Sequence, residues 1–276
     1  MKDLKDKIAL VTGGVSGIGQ ATALRFAREG AHIVLVDVNE NGLKDTAEKI
    51  EAFGRKALPV RTDVSRREEV EEMSRKALGE FGRVDILMNN AAVALFAEIK
   101  DTGLSDWEWI MNINLWGSIY PLHYLLPQMV ERKSGHIINV ASWAGILGTP
   151  SCGAYTTAKF GLVGMSEVLR AELRRFGIGV TAVCPGIVKT NIMNVAKMKG
   201  YREEFREKAK MLGNTPERVA KKIVRAVKKN RALVLTDFAI FAFHAKRLSP
   251  ALGRLITLMW LKLSHQAKEE TQDSGS

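Results

Sequence analysis

Short, continuously apolar runs alternate along this chain with longer stretches in which apolar residues recur every three or four positions. The short runs are 7–12 (KIALVT), 32–37 (HIVLVD), 84–89 (VDILMN), 136–141 (HIINVA) and 179–184 (GVTAVC), with 57–61 and 232–236 (ALVLT) as weaker examples. A run without polar alternation suits a strand buried on both faces. The stretches 18–28, 41–53, 66–81, 107–131, 154–176 and 216–230 read as helices. Pro121 and Pro127 predict that the longest of them is bent or split, because proline removes a helical donor and crowds the preceding turn. Thr215-Pro216-Glu217 is a helix start, a capping residue followed by proline at the first helical position. The alternation predicts an α/β fold, a doubly wound parallel sheet of seven strands with helices on both faces.

One domain is expected over residues 1–237, followed by an apolar and basic helical extension over 238–265 and a polar, disordered tail over 266–276. In the extension FAIFAFHA is followed by Lys246-Arg247, Pro250 and the run ALGRLITLMWLKL. Leu252, Leu255, Ile256, Met259 and Leu263 fall at helical spacing there, with Arg254 and Thr257 off that stripe. Such a stripe needs covering. It packs on its own domain, on another subunit, or in a membrane interface as a peripheral contact.

Composition adds bounds. The chain has 276 residues, 46% of them hydrophobic, enough for a large packed α/β domain. Its two cysteines, Cys152 and Cys184, make neither a disulfide framework nor a metal cluster and read as buried thiols. The opening MKDLKDK has no apolar core of a signal peptide, and no apolar run is long enough to span a bilayer. A cytoplasmic location is expected, with membrane association left open by the extension. The net charge of +11 is concentrated at residues 197–231, where 13 Lys and Arg stand against 4 Glu. That excess suits lipid headgroups, a phosphorylated substrate or nucleic acid; a solvated helix face explains it equally well. No nucleic-acid module or stacking aromatic pattern accompanies it, so a nucleic-acid partner is not expected.

The candidate chemistry sits where the short runs end. Thr12-Gly13-Gly14-Val15-Ser16-Gly17-Ile18-Gly19 joins the first strand to the first helix. Glycines there let the backbone turn tightly against a pyrophosphate, which the helix N-terminus then meets with N–H donors. Asp37 ends the second strand, where a carboxylate accepts from the adenosine ribose hydroxyls and repels a 2′-phosphate; NAD is favoured over NADP. Ser142 ends the fifth strand, 13 residues before Tyr155. Tyr155 and Lys159 stand four apart, so a helix places them on one face. A cation held near a phenol favours the phenolate and lowers its pKa.

Taken together, TGGVSGIG, Asp37, Asp63-Val64, NNAA at 89–92, Asn114, Ser142, YTTAK and PGIVKT resemble the short-chain dehydrogenase/reductase (SDR) family in its single-domain branch, with a Rossmann-type fold. Ala92 departs from the family's usual glycine. The resemblance spans roughly residues 7–236 and implies roles by position. Tyr155 is the general acid/base. Lys159 lowers its pKa and binds the nicotinamide ribose. Ser142 polarises the substrate oxygen, and Asn114 binds a backbone carbonyl and helps hold a proton relay. Gly13, Ser16, Gly17, Ile18 and Gly19 cradle the cofactor; Asp63 and Val64 flank the adenine; Asn90 and Ala91 lie near the cofactor; Pro185, Gly186, Val188 and Thr190 meet the nicotinamide end. No metal is implied, and a homo-oligomer, dimer or tetramer, is.

The substrate loop then falls at 190–213, with Ile192, Met193, Val195 and Met198 as an apolar lid. Val93, Leu95, Phe96, Trp143 and Leu147 add walls. These favour a hydrophobic alcohol or ketone such as a steroid, a retinoid or a lipid-derived chain. Two other functions remain open: a reductase of acyl-thioester-linked 3-ketones, whose phosphates meet the basic stretch, and a dinucleotide-sensing regulator without chemistry.

Overall fold

The computed structural model describes residues 1–269. The strands are β1 Ile8–Thr12, β2 His32–Asp37, β3 Ala57–Arg61, β4 Ile86–Asn89, β5 Leu95–Phe96, β6 Gly135–Val140, β7 Ile178–Cys184, β8 Lys197–Met198 and β9 Leu233–Leu235. Seven of them form one sheet in the order β3-β2-β1-β4-β6-β7-β9, and every adjacent pair runs parallel. The helices between them are α1 Gly17–Arg28, α2 Glu40–Glu51, α3 Arg67–Phe81, α4 Leu104–Met111, α5 Gly117–Glu131, α6 Gly153–Leu173 and α9 Pro216–Lys229.

Both sheet faces are covered, which is why the strand sequences do not alternate. Ala9 and Val11 of β1 turn to a layer with Phe26 of α1 and Val219, Ile223 and Val227 of α9. Ile8 and Leu10 turn the other way, to Val70 and Met73 of α3, Leu125 and Met129 of α5 and Leu169 of α6. The period of two along a strand is thus spent on two cores rather than on one core and solvent. The order reverses between β1 and β4, so the loops at their carboxyl ends part there and leave a crevice.

The long central helix departs from expectation. It begins at Leu104 and is interrupted by a π turn at Asn112–Trp116, while α5 runs on through Pro121 and Pro127 without a split. The break in the ladder lies upstream, where the Asn114 side chain is tied on both its polar atoms to the backbone of Val93.

The stretch expected as a substrate loop carries structure of its own: α7 Ile192–Val195, β8, and α8 Glu203–Met211. β8 pairs with β5 as a separate two-stranded parallel sheet. The basic excess at 197–231 is divided among these pieces. Lys197 and Lys199 both bond Asp106, at 3.4 and 2.5 Å, and Lys228 of α9 bonds Glu29 of α1.

Two helices follow β9: α10 Phe238–Leu248 and α11 Pro250–Glu269. Among the described residues no helix is long and apolar enough to cross a membrane. The first part of the tail expected to be disordered, up to Glu269, continues α11; the remainder of that expectation lies outside the described residues. Of the predicted apolar stripe only Ile256 faces the domain. Leu252, Leu255, Met259 and Leu263 are exposed, whereas Gly253 and Ser264 are buried and Ile256 and Trp260 pack into the apolar cluster around Trp143. The turned-in row includes two small residues, and Thr257 beside it donates to the Gly148 carbonyl at 3.2 Å. Close approach by the small row sets the helix's rotation, not the number of leucines.

Candidate active site

A cleft of about 590 Å³ opens along the carboxyl ends of the strands. At one end lies the turn between β1 and α1. Gly13 and Gly17 have φ of +62° and +52°, and a Cβ at Gly17 would come within 2.8 Å of the Thr190 side chain. A Cβ at Gly19 would come within 2.0 Å of the Gly13 carbonyl oxygen, so side chains are excluded by conformation at two of these positions and by space at the third. Helix α1 starts here with no side-chain cap on Ser16, leaving its first N–H groups for whatever occupies the cleft. The turn is held from β4. Thr12 Oγ1 accepts from the Asn90 and Ala91 amides at 2.9 and 3.1 Å, and Asn90 Nδ2 donates to the carbonyls of Thr12 and Gly13.

Asp37, at the end of β2, lines the cleft and accepts from the Asn39 amide at 3.1 Å. Asp63 and Val64 line it from the loop after β3; Asp63 holds its own turn by accepting from the Ser65 amide and hydroxyl. The residues fit a dinucleotide: a turn with no room for a Cβ at Gly17 or Gly19, a helix N-terminus, and a carboxylate one strand away. Lys159 is the one basic residue on the cleft wall among the described residues.

Ser142, Tyr155 and Lys159 meet at the other end. Ser142 follows β6, with its Oγ accepting from the Ala144 amide at 3.2 Å. Tyr155 and Lys159 project from one face of α6, with the ammonium 5.5 Å from the phenol ring centre. Lys159 is buried and donates to the Val140 carbonyl at 3.0 Å. Burial pushes the Tyr155 phenol up to about 12, with a hydrogen bond from Ser142 pulling the other way. Burial likewise pulls the Lys159 ammonium down to about 8. Burial is the largest influence on both: the two groups sit out of water, and desolvation disfavours the charged form of each.

Of the residues singled out from the sequence, Gly13, Ser16, Gly17, Ile18, Asp37, Asp63, Val64, Asn90, Ala91, Ser142, Trp143, Tyr155, Lys159, Pro185, Gly186, Val188 and Thr190 line this cleft. Gly19 and Asn114 do not. Gly19 packs on the Gly13 carbonyl, and Asn114 is fully buried with its amide bonded to the N–H and C=O of Val93, at 2.8 Å each. Of the expected apolar walls, Val93, Phe96, Ile192, Met193 and Val195 reach the cleft; Leu95, Leu147 and Met198 are not on it. Leu95 and Leu147 are core residues.

Among the walls that escaped the sequence reading are Phe205, Ala209 and Leu212 from α8 and its end, and Trp260 from α11. Trp260 stands edge-on to Trp143, ring centres 4.9 Å apart, and Phe238 meets the same ring at 5.3 Å. The extension also holds the loop between Ser142 and Tyr155. Lys246 Nζ donates to the Ile146 carbonyl at 2.7 Å, Thr257 bonds Gly148, and Ser264 and Ser151 hydroxyls lie 3.4 Å apart. The available signal was the aromatic Trp260 inside an otherwise aliphatic run.

Residues 7–199 match the model of the family described as short chain dehydrogenase. The "CLA biosynthesis dehydrogenase/reductase" of Lactiplantibacillus plantarum is 34% identical over 258 residues, covering 86% of this chain and 90% of that protein. The "(2S)-[(R)-hydroxy(phenyl)methyl]succinyl-CoA dehydrogenase subunit BbsD" of Thauera aromatica is 37% identical over 190 residues, 68% of this chain and 75% of that one. The "Probable oxidoreductase EphD" of Mycobacterium tuberculosis is 38% identical over 239 residues; the match takes in 83% of this chain but only 40% of that longer protein. Among solved structures, a short chain dehydrogenase/reductase from Burkholderia phymatum in complex with NAD superimposes with a TM-score of 0.84 at 30% identity, over 91% of this chain and 96% of that one.

Proposed function

The chain belongs to the short chain dehydrogenase family, and on that premise we propose that it is an NAD(H)-dependent oxidoreductase interconverting a hydrophobic secondary alcohol and its ketone. One observation carries the reading: Ser142, Tyr155 and Lys159 meet in the same cleft as the glycine turn and Asp37. Bound there, the dinucleotide supplies the hydride or accepts it. The chain's own residues do the rest. Ser142 Oγ donates to the substrate oxygen and holds it against Tyr155. In reduction the phenol gives that oxygen its proton; in oxidation the phenolate takes the hydroxyl proton. With its pKa held near 12, the phenol is protonated at neutral pH and stands ready as the acid. Lys159 favours the phenolate as it forms, at a distance fixed by its bond to the Val140 carbonyl. Asn114 positions Val93, a wall of the cleft.

Asp37 supports NAD over NADP, since its carboxylate repels a 2′-phosphate and, among the described residues, the wall's one cation, Lys159, stands at the other end of the cleft. Apolar walls from Trp143, Met193, Phe205, Leu212 and Trp260 support a steroid-, retinoid- or lipid-like substrate. Residues 1–237 form the catalytic domain of this reading and the helices after it complete its cleft. The protein works as a homo-oligomer, and its two buried free thiols suit a reducing, cytoplasmic compartment.

A second reading has one observation in its favour. Helix α8 lines the cleft with Phe205 and Ala209 while carrying Lys208 and Lys210, and a relative is named for a succinyl-CoA substrate. Coenzyme A phosphates would meet those lysines. An activity screen with NAD, over secondary alcohols graded by chain length and ring number and over 3-hydroxyacyl-CoA esters, tests both. Turnover rising with the apolar size of free alcohols is the expected result. Turnover confined to CoA esters selects the second reading, and none in either panel with NADH binding intact overturns both.

A further inference from the structure

We propose that the outer face of α10 and α11 docks on an anionic lipid bilayer. This goes beyond the catalytic reading and does not depend on which substrate is used. Phe241, Leu248, Leu252, Leu255, Leu258 and Met259 are 47–83% exposed. Positions 252, 255, 259 and 263 recur at helical spacing, so they form one continuous stripe with Leu258 beside it. The helix is not loosely attached, because its opposite face is seated through Gly253, Ile256, Trp260 and Ser264. A contiguous apolar stripe on a firmly held helix marks an interaction surface.

The charge pattern selects the occupant. From residue 238 to 268 there is no Asp or Glu, and every charged side chain is basic: Lys246, Arg247, Arg254, Lys262 and Lys268. Lys246 and Lys268 are engaged inward, with the Ile146 carbonyl and Glu98. Arg254 and Lys262 are exposed and have no ion pair among the described residues. They stand on one row with Leu258 between them, next to the leucine stripe. If a second copy covered this face about a two-fold axis, the face would meet itself. Arg254 and Lys262 would then approach the same cations with no carboxylate among residues 238–268 of either copy to pair them. A bilayer rich in anionic headgroups offers the opposite charge at the rim and hydrocarbon for the leucines. With no helix able to span, the pair lies in the plane of the interface.

The test is sedimentation of the full chain with phosphatidylglycerol vesicles and, separately, with phosphatidylcholine vesicles, at low and high salt. Pelleting with phosphatidylglycerol that falls steeply with salt and is weak on phosphatidylcholine is expected. The triple variant Leu255→Ser/Leu258→Ser/Met259→Ser loses binding by roughly tenfold or more. Arg254→Glu/Lys262→Glu loses binding to phosphatidylglycerol on the order of tenfold or more, with its weak binding to phosphatidylcholine unchanged. Both variants keep native NADH binding, and the charge reversal decides the matter if the triple variant does not fold. The intact chain remaining in the supernatant with phosphatidylglycerol overturns the proposal. So does a folded triple variant that still pellets like the native chain, or one that only turns a dimer into a monomer by analytical ultracentrifugation.

Discussion

Where the cleft is bounded by the ends of β1 to β4, its wall is built around backbone: a turn whose glycines leave no room for side chains, the opening N–H groups of α1, and the carboxylates of Asp37 and Asp63 beside them. Beyond Ser142 the wall is side chains, brought by Trp143, by Phe205 and Leu212, and by Trp260. The first end is specified by spacing within a few short segments. The second is assembled from helices separated by most of the chain's second half. A backbone-built site tolerates little change and recognises one kind of ligand. A side-chain-built wall can be rebuilt residue by residue.

The sharpest test of that division lies where the ends join. Tyr155→Phe should lower turnover by about 10²–10⁴-fold while leaving NADH affinity, measured by fluorescence titration, unchanged. Retained turnover would break the assignment. In the native protein the oxidation rate should climb from about pH 6 toward 8, below the range in which Lys159 loses its charge. The active form is the phenolate of a group near 12, whereas reduction, which uses the phenol, stays level over the same range. A pH profile of kcat/KM in both directions checks the sign.

At the backbone-built end, Asp37→Asn should erode the preference for NAD over NADP by roughly 10–100-fold, the worth of one or two hydrogen bonds to a charged group. The ratio of kcat/KM for the two cofactors reads it. At the other end, Trp260→Ala should raise KM about tenfold for bulky apolar alcohols and hardly change kcat/KM for the smallest ones that turn over. A uniform fall across sizes would mean Trp260 serves folding and not the pocket, and the contrast between the ends would weaken.

The smallest effect expected is on stability. Lys159 titrates near 8 in the fold, against 10.5 as its ordinary value. Between those values the folded chain binds fewer protons than the unfolded one, so this group's contribution to stability rises with pH; below 8 the buried charge is a cost. Lys159→Met should therefore raise the melting temperature at pH 7, by about 2–4 °C per kcal/mol of desolvation relieved, while turnover is lost. Calorimetry of the variant showing an unchanged or lowered Tm would oppose this.

The same contrast explains what could be read in advance. The inner strands of the main sheet were legible because a doubly covered strand is apolar throughout and short, whereas the edge strand β3, with Pro59 and Arg61 exposed, gave the weaker signal. The glycine turn, Asp37, Ser142, Tyr155 and Lys159 were legible because each sits at a fixed offset from a strand end or a helix turn. The π turn at Asn112–Trp116 was not, since what it answers to is Val93, a residue on another segment. Nor was the rotation of α11: counting apolar residues points to Leu252 and Leu255, while Gly253 and Ser264 decide which side can come close. The phenol's rise was missed for a related reason. Spacing placed a cation beside it, but only the fold shows that both groups leave water together.

The three hydrogen bonds from the extension to Ile146, Gly148 and Ser151 carry one more implication, about timing. They reach a loop made before β7, yet the residues that make them follow β9. A ribosome that has delivered every strand has thus delivered the glycine turn between β1 and α1, but not the clasp on the loop between Ser142 and Tyr155. The loop between Ser142 and Tyr155 gains this anchoring only once the segments that follow the sheet have emerged.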